Sequence, residues 1–536
     1  MWWPESLLHS GRFIQADACA KQSSTAGSDS PANLDPVHAE DDFNIRASTI
    51  SLENIHLDTE VAVEAFKIFA SSFRPQLPII GSISVDAMLH GQPLLFWTII
   101  IIIGSHRPEA RFVDMNMRFK DPFTRYLNQQ IMDAPLPLYK IQALVLLCEW
   151  PFGVETQAKD PTWLYSGVAI QAARFMSLDR QQTVPSLRSL GVAPGNISAR
   201  INTWLGCFLV TTSLSYHLGL PAPIDSELDL QTIEEFLQLH NVPTLFSSRV
   251  RIQLVVAKFS ALLNRNTGES TTVSLIRLVD VELSALQPQG MLHGEKETRI
   301  ELDILDAKLH IYALFFAKAS EGTSRHIMLA NALSAAQRFI HLATLSWRTT
   351  DGGFVTAAAA QRERCLPKNH YRGFAFATII LLKFFYGQQD VAYEERQGAA
   401  RHIALAQDHF RGCSIDLEDE YSRTAKVFEA LAQTSDGETG DRKPRLTHRM
   451  GASIVYDAVT NASEVRGTEV GIQEEKILEP PPNEMQATAA LNDGQALDLT
   501  QMAPSHFGMN PDLLDGFWND PFMSMVNFDA SDMHSF

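Results

Sequence analysis

Residues of the types that carry out catalysis occur throughout this chain, but none stands in the spacing that a known reaction requires. The sequence has no glycine-rich phosphate-binding motif, no GxSxG nucleophile motif and no HExxH zinc motif. Its 17 histidines are scattered, and none pairs with a cysteine or another histidine at ligand spacing. We therefore expect no enzyme and no cofactor. An all-helical biosynthetic enzyme stays open as the alternative, because a Ser-His-Asp triad is assembled in space rather than in sequence.

The Asp41-Asp42 pair is the one feature that is typical of a metal-dependent helical enzyme. It stands in a segment of Ser, Asp, Ala and Pro without apolar periodicity, and no second acidic motif follows it. We therefore interpret the pair as solvated charge.

The last segment, residues 491–536, combines acidic and apolar residues in a way that favours binding to another protein. It holds seven aspartates and no lysine or arginine. Asn510 is a favourable N-cap for a short helix, with Pro511 at its first position and Asp512 in its first turn. Acidic neighbours keep apolar side chains in water until a partner's groove buries them. We predict that this segment binds a groove on another protein, and docking on the chain's own helices is the alternative. The candidate contact residues are Leu513, Leu514, Phe517, Trp518 and Phe522.

A basic cluster lies shortly before this segment, in a stretch that is typical of an exposed linker. Its cationic residues are Arg442, Lys443, Arg445 and Arg449. Such a run favours a nuclear-localisation signal, or is simply a solvated basic stretch. The whole chain is acidic, since 44 Lys and Arg against 62 Asp and Glu leave a net charge of −18. That charge repels nucleic acid, so any contact with DNA needs a local basic module.

Apolar periodicity predicts helices throughout residues 53–434. The stretch from Gln92 is rich in isoleucine, which favours a strand by propensity. Its surroundings are helical, so we predict a fully buried helix there. Its apolar run from Leu94 to Ile103 is too short for a membrane span. The fold class is therefore all-α, a large multi-helix domain.

Two aromatic-rich helices between Pro161 and Pro223 are predicted to pack on each other and to organise the domain. The second has an apolar stripe at helical spacing, and Gly219 and Pro221 end it. We expect the core of this pair to contain Trp163, Phe175, Arg200, Trp204, Phe208, Gly219 and Pro221.

Changes in composition predict four segments. Residues 1–52 are a disordered leader and residues 53–434 an all-helical regulatory domain. Residues 435–490 are a flexible linker, and residues 491–536 are the acidic aromatic tail.

Two stretches of the helical pair carry a resemblance to a known family: WLYSGVAIQAARFMSLDR and RINTWLGCFLVTTSLSYHLGLPAPI. They resemble the core of the fungal-specific regulatory domain of binuclear zinc-cluster transcription factors, also called the middle homology region. The similarity extends over roughly residues 53–433 in the order of the helices. The resemblance implies a nuclear regulator of RNA polymerase II genes, such as metabolic or secondary-metabolite genes, whose acidic tail binds a coactivator or the general transcription machinery. It also implies that Trp204 and Phe208 are core residues or line an effector pocket.

The chain departs from that family at the zinc-binding module. The family normally holds two zinc ions with six cysteines in a module that contacts DNA, and that arrangement needs CxxC pairs. Here the five cysteines include no such pair, and the closest two are Cys365 and Cys413. We expect zinc and direct DNA binding to be missing from this chain, so that it acts through a dimer partner carrying a DNA-binding module. Either the polypeptide lacks the module or the printed sequence begins downstream of it.

Overall fold

Helices and one pair of short antiparallel strands make up the part of the chain that the structure describes. The computed structural model describes residues 41–47, 49–153, 160–180, 196–264, 269–288, 294–318, 323–345, 357–385, 391–416, 419–433 and 449–462. The predicted acidic tail, with Leu513 to Phe522, lies outside these residues, as do Arg442, Lys443 and Arg445. The prediction of an all-α fold is confirmed. Over the described ranges, no helix is both long and apolar enough to cross a bilayer.

The strands are β1 (Ile50–Leu52) and β2 (Ile55–Leu57). The first helices are α1 (Thr59–Ile68), which continues into a π-helical turn (Phe69–Phe73), α2 (Val85–Gly91), α3 (Pro93–His106), α4 (Ala110–Met132), α5 (Leu138–Glu149) and α6 (Thr162–Phe175). They are followed by α7 (Ile197–Leu218), α8 (Glu227–Leu239), α9 (Thr244–Asn264), α10 (Glu269–Ala285), α11 (Glu295–Lys318) and α12 (Thr323–Leu345). The last are α13 (Ala357–Arg364), α14 (Lys368–Phe384), α15 (Tyr393–Cys413), α16 (Glu420–Gln433) and a final helix, α17, at 453–462.

The predicted boundary of the leader at residue 52 is wrong, because the fold already includes Asp41. The Asp41 carboxylate pairs with the Arg74 guanidinium at 2.7 Å and accepts the Ile83 backbone N–H at 2.9 Å. Asp41 is therefore a structural ion-pair partner rather than solvated charge. The strands β1 and β2 follow, with Ile50 opposite Leu57. This hairpin went unpredicted because its strands are short and its turn carries no glycine.

The first apolar core surrounds α3, as the sequence analysis predicted. Every residue of α3 from Leu94 to Gly104 is buried. Helices α1, α4 and α5 pack around it. A helix that is apolar on all sides must be shielded from water on all sides, and contacts with these three helices shield it. The isoleucine run is thus helical because its neighbours are helices, despite its preference for strands.

A second apolar core is built by α11, α12, α14, α15 and α16. Helices α7 and α9 join the two cores. Ile201 to Val210 of α7 pack in the first core, whereas Leu214 and Leu218 pack in the second. Helix α9 likewise contributes Val250 to the first core and Ile252 to the second.

The prediction for the α6–α7 pair is confirmed for α7 and wrong for α6. Trp204 and Phe208 of α7 are fully buried, and Arg200 is 2% exposed. On α6, by contrast, Trp163 is 51% and Phe175 59% exposed. The buried face of α6 consists instead of small residues and one aromatic ring: Tyr165, Ala169, Ile170 and Ala173. The alanines let α6 lie close to α5 and α7, and the large aromatic side chains are turned outward. Pro221, also predicted to be core, is exposed.

The predicted flexible linker of residues 435–490 is wrong for residues 449–462. Ile454, Val455 and Ala458 of α17 are buried in the second core. Arg449, a candidate for the nuclear-localisation signal, is part-buried rather than displayed in a linker. Its guanidinium contacts the Leu218 carbonyl oxygen at 3.5 Å and lies 5.8 Å from the centre of the Tyr456 ring. The short apolar run SIVYDAV was the signal for this helix in the sequence.

The end of α7 gives a first testable prediction. Gly219 has φ 66° and ψ 37°, and a Cβ added there would lie 2.1 Å from the Arg449 carbonyl oxygen. We expect Gly219→Ala to lower the free energy of unfolding by roughly 1–3 kcal/mol or more, through backbone strain and the displaced Arg449 segment. Urea unfolding measures the change.

Gly167→Ala is the matched control, since Gly167 is an exposed residue within α6 and an added Cβ meets nothing within 4 Å. Because alanine favours helix over glycine, this variant should gain about 0.5–1 kcal/mol. A Gly219→Ala protein as stable as the wild type would show that the left-handed cap is unimportant.

Candidate functional site

Helix α11 places charged side chains on a face that packs inside the protein. Arg299, Asp303, Asp306 and His310 stand at positions i, i+4, i+7 and i+11 and therefore share one side of the helix. We call them the polar stripe. Arg299 and His310 are each 6% exposed, and the two aspartate side chains are largely covered. A buried polar stripe is costly unless partners meet it, and α5, α7, α9, α13 and α14 supply them.

At one end of the stripe, Arg249 of α9 bridges two carboxylates. Its Nη2 lies 3.2 Å from Glu149 Oε1 of α5, and its Nε lies 3.1 Å from Asp303 Oδ2. Its Nη1 also donates to the Gln76 carbonyl oxygen at 2.9 Å. Burial opposes the charge of Arg249, but attraction to Asp303 and Glu149 leaves its pKa raised. This guanidinium therefore connects helices of the two cores.

Two further guanidinium groups are buried close to the stripe. Within the described part of the chain, none of the three side-chain nitrogens of Arg299 has a hydrogen-bond partner. Burial lowers the pKa of Arg299, and the nearby Asp303 offsets part of that effect. Arg372 of α14 is 1% exposed, and its Nη2 lies 3.6 Å from Asp160 Oδ2.

A cluster of two imidazoles and one carboxylate lies at the other end of the stripe. His310 Nε2 lies 3.1 Å from His217 Nδ1 of α7, and His217 Nε2 lies 3.5 Å from Asp306 Oδ2. Burial lowers the pKa of His217 well below its usual value and that of His310 to about 3. Burial raises the pKa of Asp306 to about 6. The Phe376 ring stacks on His310 at 4.3 Å. We call His217, Asp306 and His310 the imidazole–carboxylate cluster.

Glu363 of α13 forms a second contact between a carboxylate and imidazoles. Its Oε1 lies 2.8 Å from His370 Nε2 and 3.5 Å from His409 Nε2, and all three side chains are buried. Burial opposes ionisation of Glu363, but attraction to His370 holds its pKa below the usual range. This contact ties α13 to α14 and α15.

None of these residues was predicted from the sequence. The expectation for a metal site was a pair of histidines or cysteines close together in the chain. Asp306 and His310 are four apart on one helix, which places both side chains on the same face. His217 joins them from a helix that lies 93 residues earlier. The available signal was the set of charged residues at helical spacing within the buried stretch that begins at Ile300.

Buried histidines also give a prediction for the dependence of stability on pH. Burial lowers the pKa of His106, near the end of α3, to about 4, and its Nδ1 donates to the Ile102 carbonyl oxygen at 2.9 Å. In the unfolded chain His106 has the ordinary histidine pKa of about 6.5. Between pH 6.5 and 4, His106 is therefore protonated more in the unfolded chain than in the folded chain. The stabilising contribution of neutral His106 is therefore complete above pH 6.5 and is lost as the pH falls toward 4.

We expect His106→Gln to reduce the loss of unfolding free energy between pH 6.5 and 5.5 by about 1 kcal/mol relative to wild type. His90→Gln, at an exposed histidine, is the control and should follow the wild-type curve. Urea unfolding at both pH values makes the comparison, and identical losses in wild type and His106→Gln would contradict the assignment.

Comparison with known proteins finds that part of the chain is similar to regulatory proteins. Residues 66–279 match the model of a family described as the fungal specific transcription factor domain. That range begins in α1 and ends in α10, so it includes the α6–α7 pair. No solved structure matches the chain.

Three relatives with regulatory names resemble it at low identity. The putative transcription factor SEF1 of Eremothecium gossypii is 24% identical over 84% of this chain and 43% of its own length. The regulatory protein LEU3 of Saccharomyces cerevisiae is 24% identical over 54% of this chain and 35% of its own length. The transcriptional activator of proteases prtT of Aspergillus clavatus is 20% identical over 50% of this chain and 42% of its own length. The chain thus spans less than half the length of these relatives.

Proposed function

We propose that the chain regulates the transcription of RNA polymerase II genes in the nucleus, because part of it is similar to the fungal specific transcription factor domain. The match over residues 66–279 is the observation that carries the proposal. Relatives named as transcription factors, regulators and activators support it. They give no support to the alternative of a helical biosynthetic enzyme.

In this proposal the helical part of the chain is a regulatory body, and the acidic tail contacts the transcription machinery. The family match over residues 66–279 supports the first role. Residues 491–536 have seven aspartates without a lysine or arginine, and aromatic residues lie between them. A short helix from Asn510 would present apolar side chains to a groove on a coactivator, and burial there would drive binding.

Contact with DNA is proposed to be indirect. A net charge of −18 repels a DNA duplex over the surface as a whole. The printed sequence has no CxxC pair to hold a zinc cluster. We therefore propose that residues 1–536 reach DNA through a module outside this stretch, carried either by the same polypeptide or by a partner. The basic residues Arg442, Lys443 and Arg445 are the proposed nuclear-localisation signal, and Arg449 is left out because it packs on α7.

A tethering experiment tests the proposed function. The full chain is fused to a foreign DNA-binding domain and expressed with a reporter gene under the matching operator. We expect activation, and we expect it to fall at least fivefold when five tail residues become alanine. These are Leu513→Ala, Leu514→Ala, Phe517→Ala, Trp518→Ala and Phe522→Ala.

A matched control removes the same number of apolar side chains elsewhere in the tail. It consists of Leu491→Ala, Leu497→Ala, Leu499→Ala, Met502→Ala and Phe507→Ala. This control should keep at least half of the activation, since its substitutions lie before the proposed helix. Immunoblotting verifies equal protein levels. An inert wild-type fusion, or equal losses in both variants, would count against the tail as the contact for the transcription machinery.

A further inference from the structure

We propose that His217, Asp306 and His310 bind a divalent transition-metal ion of the zinc class. The proposal goes beyond the function proposed above, and it also goes beyond the zinc module of the related regulators, because these ligands lie inside the helical body. It replaces the expectation from sequence that the chain has no cofactor. Two helices distant in the chain, α7 and α11, supply the three ligands.

The distances within the cluster fit a tetrahedral ion. One nitrogen from each imidazole and one oxygen from Asp306 all lie within 4.8 Å of one another. His310 Nε2 lies 3.7 Å from Asp306 Oδ1, and His217 Nε2 lies 3.5 Å from Asp306 Oδ2. Ligand atoms about 2.1 Å from a tetrahedral zinc are about 3.4 Å apart. Small side-chain rotations would therefore complete the site.

Two polar atoms of the cluster are available to a cation. Within the described residues, Asp306 Oδ1 and His217 Nε2 are buried and have no hydrogen-bond partner. Such atoms are costly to bury, and coordination would satisfy both of them.

The surroundings hold the ligands in place. The Phe376 ring stacks on His310 and limits its rotation. Gly373 of α14 lies against Asp306, and a Cβ there would be 2.6 Å from Asp306 Oδ1, so the glycine allows this close packing of the carboxylate against α14.

The charges around α11 leave an excess of carboxylates when the part-buried Asp303 and Asp306 are counted with the buried groups. The acidic side chains are Glu149, Asp160, Asp303, Asp306 and Glu363, and the guanidinium groups are those of Arg249, Arg299 and Arg372. A divalent ion would bring the centre closer to neutrality. Arg372 acts in the opposite direction, because its positive charge is felt at His217, but its ion pair with Asp160 at 3.6 Å offsets part of that charge.

The competing interpretation is a chain of hydrogen bonds from His310 through His217 to Asp306. A proton shared between His310 Nε2 and His217 Nδ1 accounts for their 3.1 Å separation. The metal site uses His217 Nε2 instead, so His310 would turn its Nε2 away from His217 Nδ1 when an ion binds. Binding of metal separates these interpretations, because the hydrogen-bonded chain alone retains no ion.

The test uses the purified full chain, stripped with a chelator, dialysed and titrated with Co²⁺ or Zn²⁺ alone. We expect one equivalent of Co²⁺ to bind with the visible absorption of a tetrahedral site, and we expect Zn²⁺ to displace it. Zn²⁺ should also raise the midpoint of urea unfolding. Asp306→Asn and His310→Gln should each weaken binding by at least about 100-fold.

His409→Gln is the matched control, since His409 is an equally buried histidine that faces Glu363 instead. It should keep the wild-type affinity. Circular dichroism verifies that each variant is folded. If the ligand variants unfold, the wild-type titration alone tests whether the site binds metal. A rise in the urea midpoint of the wild-type chain on addition of Zn²⁺ then supports the site. A wild-type chain that binds no stoichiometric metal, or an Asp306→Asn chain that binds it unchanged, would overturn the proposal.

Discussion

Arg249→Met is expected to lower the free energy of unfolding by roughly 3–5 kcal/mol. The substitution keeps much of the side-chain volume but removes the positive charge. Glu149, which is fully buried, and Asp303 then lose the cation between them. An unpaired buried carboxylate costs far more than the pair itself contributes. Urea unfolding followed by circular dichroism measures the loss.

Arg125→Met provides the matched comparison at the surface. Arg125 contacts Glu53 through two nitrogens, at 3.2 and 2.8 Å, so the pair resembles that of Arg249 in its contacts. Both side chains are about half exposed, and water and salt screen their attraction. The expected loss is about 0–1 kcal/mol. Similar losses for the two variants would show that Arg249 does not bridge the two cores.

Trp204→Ala is the second substitution with a large expected effect. The Trp204 ring is fully buried in the first core. Removing it leaves a cavity that the surrounding helices fill only in part, so the unfolding free energy should fall by roughly 3–5 kcal/mol. The loss is measured by urea unfolding, as for Arg249→Met.

Trp163→Ala distinguishes the observed packing of α6 from the packing predicted by sequence. Trp163 is 51% exposed, so its removal should change the unfolding free energy by less than about 1 kcal/mol. If Trp163 were a core residue, the two tryptophan variants would be equally destabilised. That result would contradict the observed orientation of α6.

The helices were predictable because apolar periodicity and end signals agree over long stretches. In α7, the apolar stripe and the end signals Gly219 and Pro221 indicate one helix. The structure has it at Ile197–Leu218, with Asn196 as its N-cap. Helix α3 was predictable only from its context. Its isoleucines favour a strand, and the lack of any partner strand decided the prediction.

The orientation of α6 was not predictable, because both of its faces carry apolar residues. One face has Trp163 and Phe175, and the other has Tyr165, Ala169 and Ala173. Larger side chains suggested the wrong face as the buried one. Close packing against α5 and α7 needs small residues, and that requirement becomes visible only when the neighbours are in place.

The candidate site was hidden from the sequence for a different reason. The side chains of the imidazole–carboxylate cluster come from helices far apart in the chain, one from α7 and two from α11. Asp306 and His310 indicate a shared face of α11, but nothing in the sequence indicates that His217 meets them. Apolar periodicity does not predict buried charged residues, because it assumes that charged side chains face water.

The most direct test of the proposed regulator is a transcript comparison in the source organism. RNA is sequenced from the wild type, from a strain that lacks the chain and from the same strain with the chain restored. The proposal predicts that a defined set of RNA polymerase II transcripts changes on deletion and returns on restoration. It also predicts that restoration with the five alanine substitutions in the tail leaves that set uncorrected. Identical transcripts in the wild type and the deletion strain, under conditions in which the chain is expressed, would contradict it.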